Sequence, residues 1–281
     1  MLRQFRRFST GRRVAVIHAM QPSIASCLPA FERLWPEAEL VHLLDDSLAR
    51  DVAPPGGGHP SAAGAGSPAL GGTGTGGMTA RFIALARYAK EGAGCDGIVF
   101  SCSAFGSHIE EVQRQLRTES FPVLKPNEAM MREAVQLALG PRAGGSAGSR
   151  PRPVAVFSMF EPSLPSITRE LQDVAAREDA AAGPLDLRPY YVPEALQRLN
   201  SGDEEGCIRA IADFVCGTVR ALEEHEQERH NPLACCVFAM FSMARARGAA
   251  EELLAGATRT APPVLTSPDS AVLQIKAQLG C

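Results

Sequence analysis

Paired metal-binding spacings are missing from this chain. Its eight cysteines stand at 27, 95, 102, 207, 216, 235, 236 and 281, and no two of them form a Cys-x-x-Cys pair. That spacing supports neither a zinc site nor a thioredoxin-like motif. His18, His42, His59, His108, His225 and His230 are scattered and make no ligand pair at helical spacing. No metal and no cofactor is expected on these grounds. A basic excess is missing too: at a formal net charge of −3 the chain lacks what nucleic-acid binding needs, so no such partner is expected. No apolar run reaches membrane-spanning length, and no membrane partner is expected. Without a secretory signal, the cysteines read as reduced thiols rather than disulfides. No Gly-x-Gly-x-x-Gly or P-loop pattern follows a strand, since the glycines at 71–77 lie in an insertion.

What is present is enough chain, 281 residues, for one large core or two modest ones. Two stretches dominated by Gly, Ser, Ala and Pro interrupt the apolar patterning. Residues 54–77 read as a flexible surface insertion, and 141–152 as a flexible linker. The expected division is a first half over 13–125 plus 267–281 and a second half over 126–266. Before them, segment 1–12 is basic: Arg3, Arg6, Arg7 and Arg12, with Arg13 directly after, occur with no acid, beside Phe5, Phe8, Ser9 and Thr10. This is the composition of a mitochondrial or plastid transit peptide, and equally of a frayed basic terminus in a cytoplasmic protein.

Short apolar runs predict strands over 13–19, 39–44, 97–100, 121–124, 154–158, 187–192, 235–239 and 263–266. Helices are predicted over 23–35, 79–90, 107–116, 128–139, 203–225, 244–254 and 270–279; in the third, Ile109, Val112 and Leu116 share one face. Alternating strand and helix predicts an α/β fold of parallel, doubly wound sheets. Ligands of such sheets bind outside the carboxyl ends of the strands, which selects the loops beginning at Ala19, Ser101, Ser158 and Ala239.

The chain also resembles itself. Val14-Ala15-Val16 followed by Met20-Gln21-Pro22-Ser23-Ile24 returns as Val154-Ala155-Val156 followed by Phe160-Glu161-Pro162-Ser163-Leu164, an offset of 154 − 14 = 140. Val99-Phe100-Ser101-Cys102-Ser103 returns as Val237-Phe238-Ala239-Met240-Phe241, offset 238 − 100 = 138, and Pro122-Val123-Leu124 returns as Pro263-Val264-Leu265, offset 264 − 123 = 141. Three collinear matches at nearly one offset predict two pseudo-symmetric halves facing each other across a shared cleft. In that register Cys102 of the first half stands opposite Met240 of the second.

Ser101-Cys102-Ser103-Ala104-Phe105-Gly106 lies where a strand ends and a helix begins. Free backbone N–H groups there favour an anion and lower a thiol's pKa, and the flanking hydroxyls suit a carboxylate or an enediolate. Cys102 is therefore a candidate acid or base at a carbon next to a carboxylate. A cysteine after an apolar strand also serves as a small buried hydrophobe.

The segment 78–106, with Cys95-Asp96-Gly97-Ile98-Val99-Phe100-Ser101-Cys102-Ser103-Ala104-Phe105-Gly106, resembles the first cysteine motif of the aspartate/glutamate racemase superfamily. Phe241-Ser242-Met243-Ala244-Arg245-Ala246 resembles the loop of its second motif, and 14–22, Asp45-Asp46-Ser47-Leu48 and 154–165 fit the same pattern. The superfamily includes amino-acid and hydantoin racemases, maleate isomerase and arylmalonate decarboxylase, which work without metal or cofactor. The resemblance implies two pseudo-symmetric α/β halves with the site in the cleft between them. It also implies a small carboxylic acid or hydantoin-like substrate; a homo-oligomer is a further possibility.

Carried over residue by residue, Cys102 matches the first catalytic cysteine, with Ser103 and Ala104 in the carboxylate-binding turn. Met240 stands in the second cysteine's place, and a thioether exchanges no proton. Sliding the register to use Cys235 or Cys236 breaks the Phe238 match. Ala19-Met20-Gln21 replaces the Asp-Ser pair that glutamate racemases carry after their first strand. The substrate-binding candidates are Ser101, Ser103, Ala104, Gln21, Asn127, Phe160, Met240 and Ser242. Several have plainer readings: Asn127 before Glu128 as a helix cap, Phe160 and Met243 as core, and Asp45-Asp46 as a cap, a solvated turn or an arginine partner.

The expected function is a cofactor-independent racemase or isomerase moving a proton with Cys102. Two-base racemisation needs a donor on each face of the planar intermediate. His18 and Glu161 are candidates for the second face, with a strand-end hydrogen bond and a helix N-terminal acid as their alternatives. A single-cysteine decarboxylase of malonate-like acids and a non-catalytic carboxylate-binding protein are the competing readings.

Overall fold

The computed structural model describes residues 11–52, 75–102, 105–117, 119–140, 151–179, 183–224 and 231–281. The basic segment 1–10, most of the expected insertion and linker (54–74 and 141–150), and the site candidates Ser103 and Ala104 lie outside the described residues, as do His59, His225 and His230. Internal contacts divide the chain into two compact units. One holds the described residues up to Pro126 together with Ala271–Cys281, and the other holds Asn127–Ser270.

The first unit is built on four parallel strands, β1 (Arg13–His18), β2 (Glu39–Leu44), β3 (Gly97–Phe100) and β4 (Val123–Leu124), in the order β2-β1-β3-β4. β1 and β3 are apolar at nearly every position because helices cover both faces of the sheet. One face, carrying Ala15, Ile17, Ile98 and Phe100, packs on α3 (Thr75–Arg87) and α4 (Gly106–Arg117) through Phe82, Ala86, Ile109, Val112 and Leu116. Side chains alternate along a strand, so Val14, Val16 and Val99 point to the other face. Buried Cys27, Phe31 and Trp35 of the α1 region (Pro22–Leu34) belong to this unit too. β3 begins with glycine for a steric reason: a Cβ at Gly97 would lie 2.9 Å from Ile275 Cδ1 and 3.0 Å from Pro122 Cγ.

The second unit has the same plan. Strands β5 (Val154–Ser158), β6 (Leu187–Tyr191), β7 (Cys235–Phe238) and β8 (Val264–Thr266) run parallel in the order β6-β5-β7-β8. Ala155, Phe157, Cys236 and Phe238 face α8 (Glu204–Glu224) and α9 (Arg247–Ala257), while Val154, Val156, Cys235 and Val237 face α5 (Glu128–Leu139) and α6 (Leu164–Glu178). β6 is an edge strand, which is why Pro189, lacking an N–H, is tolerated inside it.

The pairing registers reproduce the sequence offsets. Val14 pairs with Gly97 and Ile17 with Phe100, as Val154 pairs with Cys235 and Phe157 with Phe238. Ile98 pairs with Val123 as Cys236 pairs with Val264. Beyond the strand ends, Ser101 N donates to Ile17 O as Ala239 N donates to Phe157 O, and Ser23 N donates to Met20 O as Ser163 N donates to Phe160 O.

Some local expectations are corrected. The helix predicted from 79 starts at Thr75 and opens into a π turn over Tyr88–Gly92. Three further helices form where none is predicted: α2 (Ser47–Val52), α6 and α7 (Ala195–Asn200). A 3-10 turn over Phe241–Ala246 precedes α9, so the α-helix predicted from 244 begins at Arg247. The last helix, α10 (Ser267–Gln278), starts directly from β8. Among the described residues no helix is long and apolar enough to cross a membrane.

Candidate active site

In the order β2-β1-β3-β4, the chain leaves β1 toward one edge and β3 toward the other. The carboxyl ends of β1 and β3 therefore flank the switch point where doubly wound sheets hold ligands. The residues at those ends are His18, Ser101 and Cys102. Alternation puts Cys102 on the side of Ile98 and Phe100, where it packs at the margin of the core formed with Phe82 and Phe105. It is half-buried, whereas Cys27, Cys95, Cys207, Cys216, Cys235 and Cys236 are buried and Cys281 is exposed. A half-buried thiol at a strand end combines a low-dielectric flank with access for a small reactant.

Ser101 and His18 point to the opposite face and are buried. His18 Nδ1 lies 2.9 Å from Ser101 Oγ, His18 Nε2 lies 3.0 Å from His42 Nδ1, and the Ser101 hydroxyl donates to Ile17 O at 3.3 Å. One proton arrangement satisfies all three contacts: His42 Nδ1–H donates to His18 Nε2, and His18 Nδ1–H donates to Ser101 Oγ. The rings stack with centroids 5.2 Å apart. Burial, and then repulsion from His42, push the His18 pKa down to about 4, so the ring is neutral at neutral pH. Burial also lowers His42. His18 is thus a hydrogen-bonded strand-end histidine tying β1 to β3 just before Cys102.

Around this edge, Thr79 Oγ1 and His108 Nδ1 are 2.8 Å apart, and the His108 ring stacks on Phe82 at 5.8 Å. Asp45 serves both as cap and as arginine partner. Its carboxylate accepts from Ser47 N at 3.2 Å and Ser47 Oγ at 2.6 Å at the start of α2, and from Arg81 Nη2 at 2.6 Å. Partial burial works to raise its pKa, but the Ser47 and Arg81 hydrogen bonds outweigh it and the net shift is downward.

In the second unit the corresponding ends are filled differently. After β5, Ser158 Oγ accepts from Phe160 N at 3.0 Å and lies 2.9 Å from Ser163 Oγ, so its hydroxyl braces the turn into α6. Glu161 is exposed at the start of the 3-10 turn over Glu161–Ser163. Two residues past Phe238, at the place Cys102 holds past Phe100, Met240 is buried in the core with Met243, and Phe160 packs against the same core. Ser242 is half-buried in the Phe241–Ala246 turn. Cys235 and Cys236 are buried within β7, and burial pushes both thiols up, Cys235 to about 12.

The site candidates therefore fall into two sets: Gln21, Ser101 and Cys102 in the first unit, and Asn127, Phe160, Met240 and Ser242 in the second. Gln21 is exposed in the turn before α1. Asn127 is buried at the start of α5, but its side chain makes no cap; its Oδ1 accepts from Ser267 Oγ at 2.6 Å. That bond belongs to a polar group at the end of β8 that the sequence reading omits. There Thr266 Oγ1 donates to Asp269 Oδ2 at 2.8 Å, and Arg247 pairs with the same carboxylate. The run Thr266-Ser267-Pro268-Asp269 after an apolar strand was its available signal.

Spacing shows no ligand pair, yet strand pairing brings His18 and His42 together, and α1 adds Cys27; the ligand atoms of all three lie within 4.8 Å of one another.

No protein-family model matches the sequence, and no curated protein matches it. Solved structures do. The chain is similar to an allantoin racemase from Klebsiella pneumoniae at 16% identity, covering 96% of this chain and 88% of that one, with a TM-score of 0.50. It is also similar to an allantoin racemase from Pseudomonas fluorescens at 14% identity, covering 96% and 92%, with a TM-score of 0.46. A glutamate racemase from Thermus thermophilus matches at 16% identity, covering 96% and 80%, with a TM-score of 0.43. At such identities the first likeness is one of fold: two four-stranded parallel sheets with flanking helices.

Proposed function

We propose that this protein is a racemase-type enzyme that moves a proton at the carbon next to a carboxylate, or next to the carbonyl of a hydantoin-like ring, with Cys102 as the transferring group and no cofactor. The observation that carries the reading is the placement of Cys102: it is half-buried, just past the end of β3 and beside the β1/β3 switch point. The fold shared with an allantoin racemase supports it.

In this reading the Cys102 thiolate takes the proton from the α-carbon, the electron pair left behind moves onto the neighbouring carbonyl oxygen, and the thiol returns a proton to the same face; inversion requires the planar intermediate to turn over in the site or a donor other than Cys102 to serve the opposite face. The Ser101–His18–His42 chain fixes the end of β3, so the thiol is held by a braced backbone rather than a free loop. Ser101 acts here through position. Ser103, Ala104, Gln21, Asn127, Phe160, Met240 and Ser242 are the proposed substrate-contacting set. A duplicated ancestral half accounts for the matching registers, with Met240 where a second acid–base group would stand.

Met240 favours a second, one-sided chemistry: loss of carbon dioxide from a malonate-like acid, followed by protonation from Cys102. The test is a polarimetric and carbon-dioxide assay of wild type and Cys102→Ala on allantoin, 5-substituted hydantoins, glutamate, aspartate and an arylmalonate. Turnover in wild type that vanishes in the variant is expected. Turnover equal in the two proteins removes Cys102 from the chemistry.

A further inference from the structure

His18 ends β1, His42 lies on the neighbouring β2, and Cys27 sits in α1. In the β1/β2 register His18 pairs with Leu44 and Val16 with His42, so the two histidines are diagonal neighbours on one face of the sheet. Their facing nitrogens, His18 Nε2 and His42 Nδ1, are 3.0 Å apart, and with the Cys27 sulfur all three ligand atoms fall within 4.8 Å. Around a tetrahedral zinc ion, with bonds of about 2.0–2.3 Å, such ligand atoms stand roughly 3.3–3.6 Å apart. Shifts of about an ångström bring the present arrangement to that geometry.

We infer that His18, Cys27 and His42 form a binding site for one zinc-class divalent cation, with a fourth position open to water. Two imidazoles and a thiolate suit zinc, and the absence of a carboxylate from the group disfavours calcium and magnesium. The outer shell is in place: Ser101 Oγ holds His18 Nδ1, which aims Nε2 at the ion. His18 and Cys27 are buried and His42 is half-buried, so the ion arrives past His42. The protons balance. The Cys27 thiol, now donating to Ile24 O at 3.1 Å, loses its proton to solvent, and the proton between the rings moves to His42 Nε2. Burial holds the metal-free thiol protonated and His18 neutral, so binding releases one proton per ion.

The inference shares His18 and His42 with the brace at the end of β3 but does not involve Cys102, and its test is independent of any substrate. The full-length chain, stripped of metal under reductant, is titrated with zinc against a chromophoric chelator, and separately with cobalt. One zinc per chain is expected, with a thiolate-to-cobalt charge-transfer band. Cys27→Ser abolishes that band, and Cys27→Ser and His42→Ala each weaken zinc binding at least about tenfold. His42→Ala sits at the half-exposed edge and keeps the test alive if Cys27→Ser folds poorly, with far-ultraviolet circular dichroism as the folding check. Cys102→Ala keeps both band and affinity. Zinc binding unchanged in His42→Ala, no tight site at all, or a cobalt band lost in Cys102→Ala overturns the inference.

Discussion

Mild acid should unfasten the end of the first sheet, and the size of the effect follows from one buried ring. The ordinary histidine value of 6.5 is pushed down to about 4 in His18, first by burial and then by His42. The folded state therefore keeps His18 neutral while the unfolded chain protonates it below pH 6.5. The unfolded state binds more protons in that window, so stability is complete above 6.5 and is lost as the pH falls from 6.5 toward 4. At 1.36 kcal/mol per pKa unit the full loss is roughly 3 kcal/mol, of which about 2 kcal/mol is gone by pH 5. His42, also lowered, adds in the same direction. The lone tryptophan, Trp35, is buried in the first unit, so its fluorescence reports that unit's unfolding. Urea titrations of chelator-treated protein near pH 7.5 and pH 5 should show wild type losing about 2 kcal/mol more than His18→Asn; carboxylates common to both proteins cancel. Equal losses in the two proteins, or a wild type that gains stability in acid, would refute the buried neutral chain.

Gly97→Ala should cost about 1–3 kcal/mol by driving a methyl into Ile275 and Pro122, and Ile275→Val in the same chain should recover part of it, read by Trp35 fluorescence in urea. Brief alkylation of the native protein should label Cys102 and Cys281, with the six buried cysteines reacting only after unfolding; peptide mass spectrometry reads the sites. Met240→Cys should cost about 1–3 kcal/mol for the emptied core volume. It should also raise racemisation relative to hydrogen exchange on the same substrate. An unchanged ratio would argue against Met240 holding the second acid–base position.

The strands were legible because each is a short apolar run with a polar end. β2, β3 and β5 match their predicted spans, and the pairing registers repeat the offsets found by comparing the chain with itself. Helix α6 was missed although Leu164, Ile167, Leu171 and Ala175 form a helical stripe, because two prolines at its start and charges along its outer face obscure it. The π turn after α3 has no spacing of its own to read; it appears only where the chain must close on Ala89 and Cys95. Cys102 was legible as a polar-flanked strand end. The His18–His42–Cys27 group was not, because its members are brought together by strand pairing and by a helix laid over the sheet, neither of which leaves a fixed interval in sequence. The Asn127–Ser267 bond likewise spans a separation no local pattern reports.

The central claim is that the Cys102 sulfur carries the proton. Wild type and Cys102→Ala, each incubated in heavy water with allantoin, a 5-substituted hydantoin, glutamate or aspartate, can be followed by proton NMR for loss of the α-hydrogen above the protein-free rate. The account predicts exchange on at least one of these probes in wild type and only the protein-free rate in the variant. Exchange that persists in Cys102→Ala, or none above background with any probe in wild type, contradicts it.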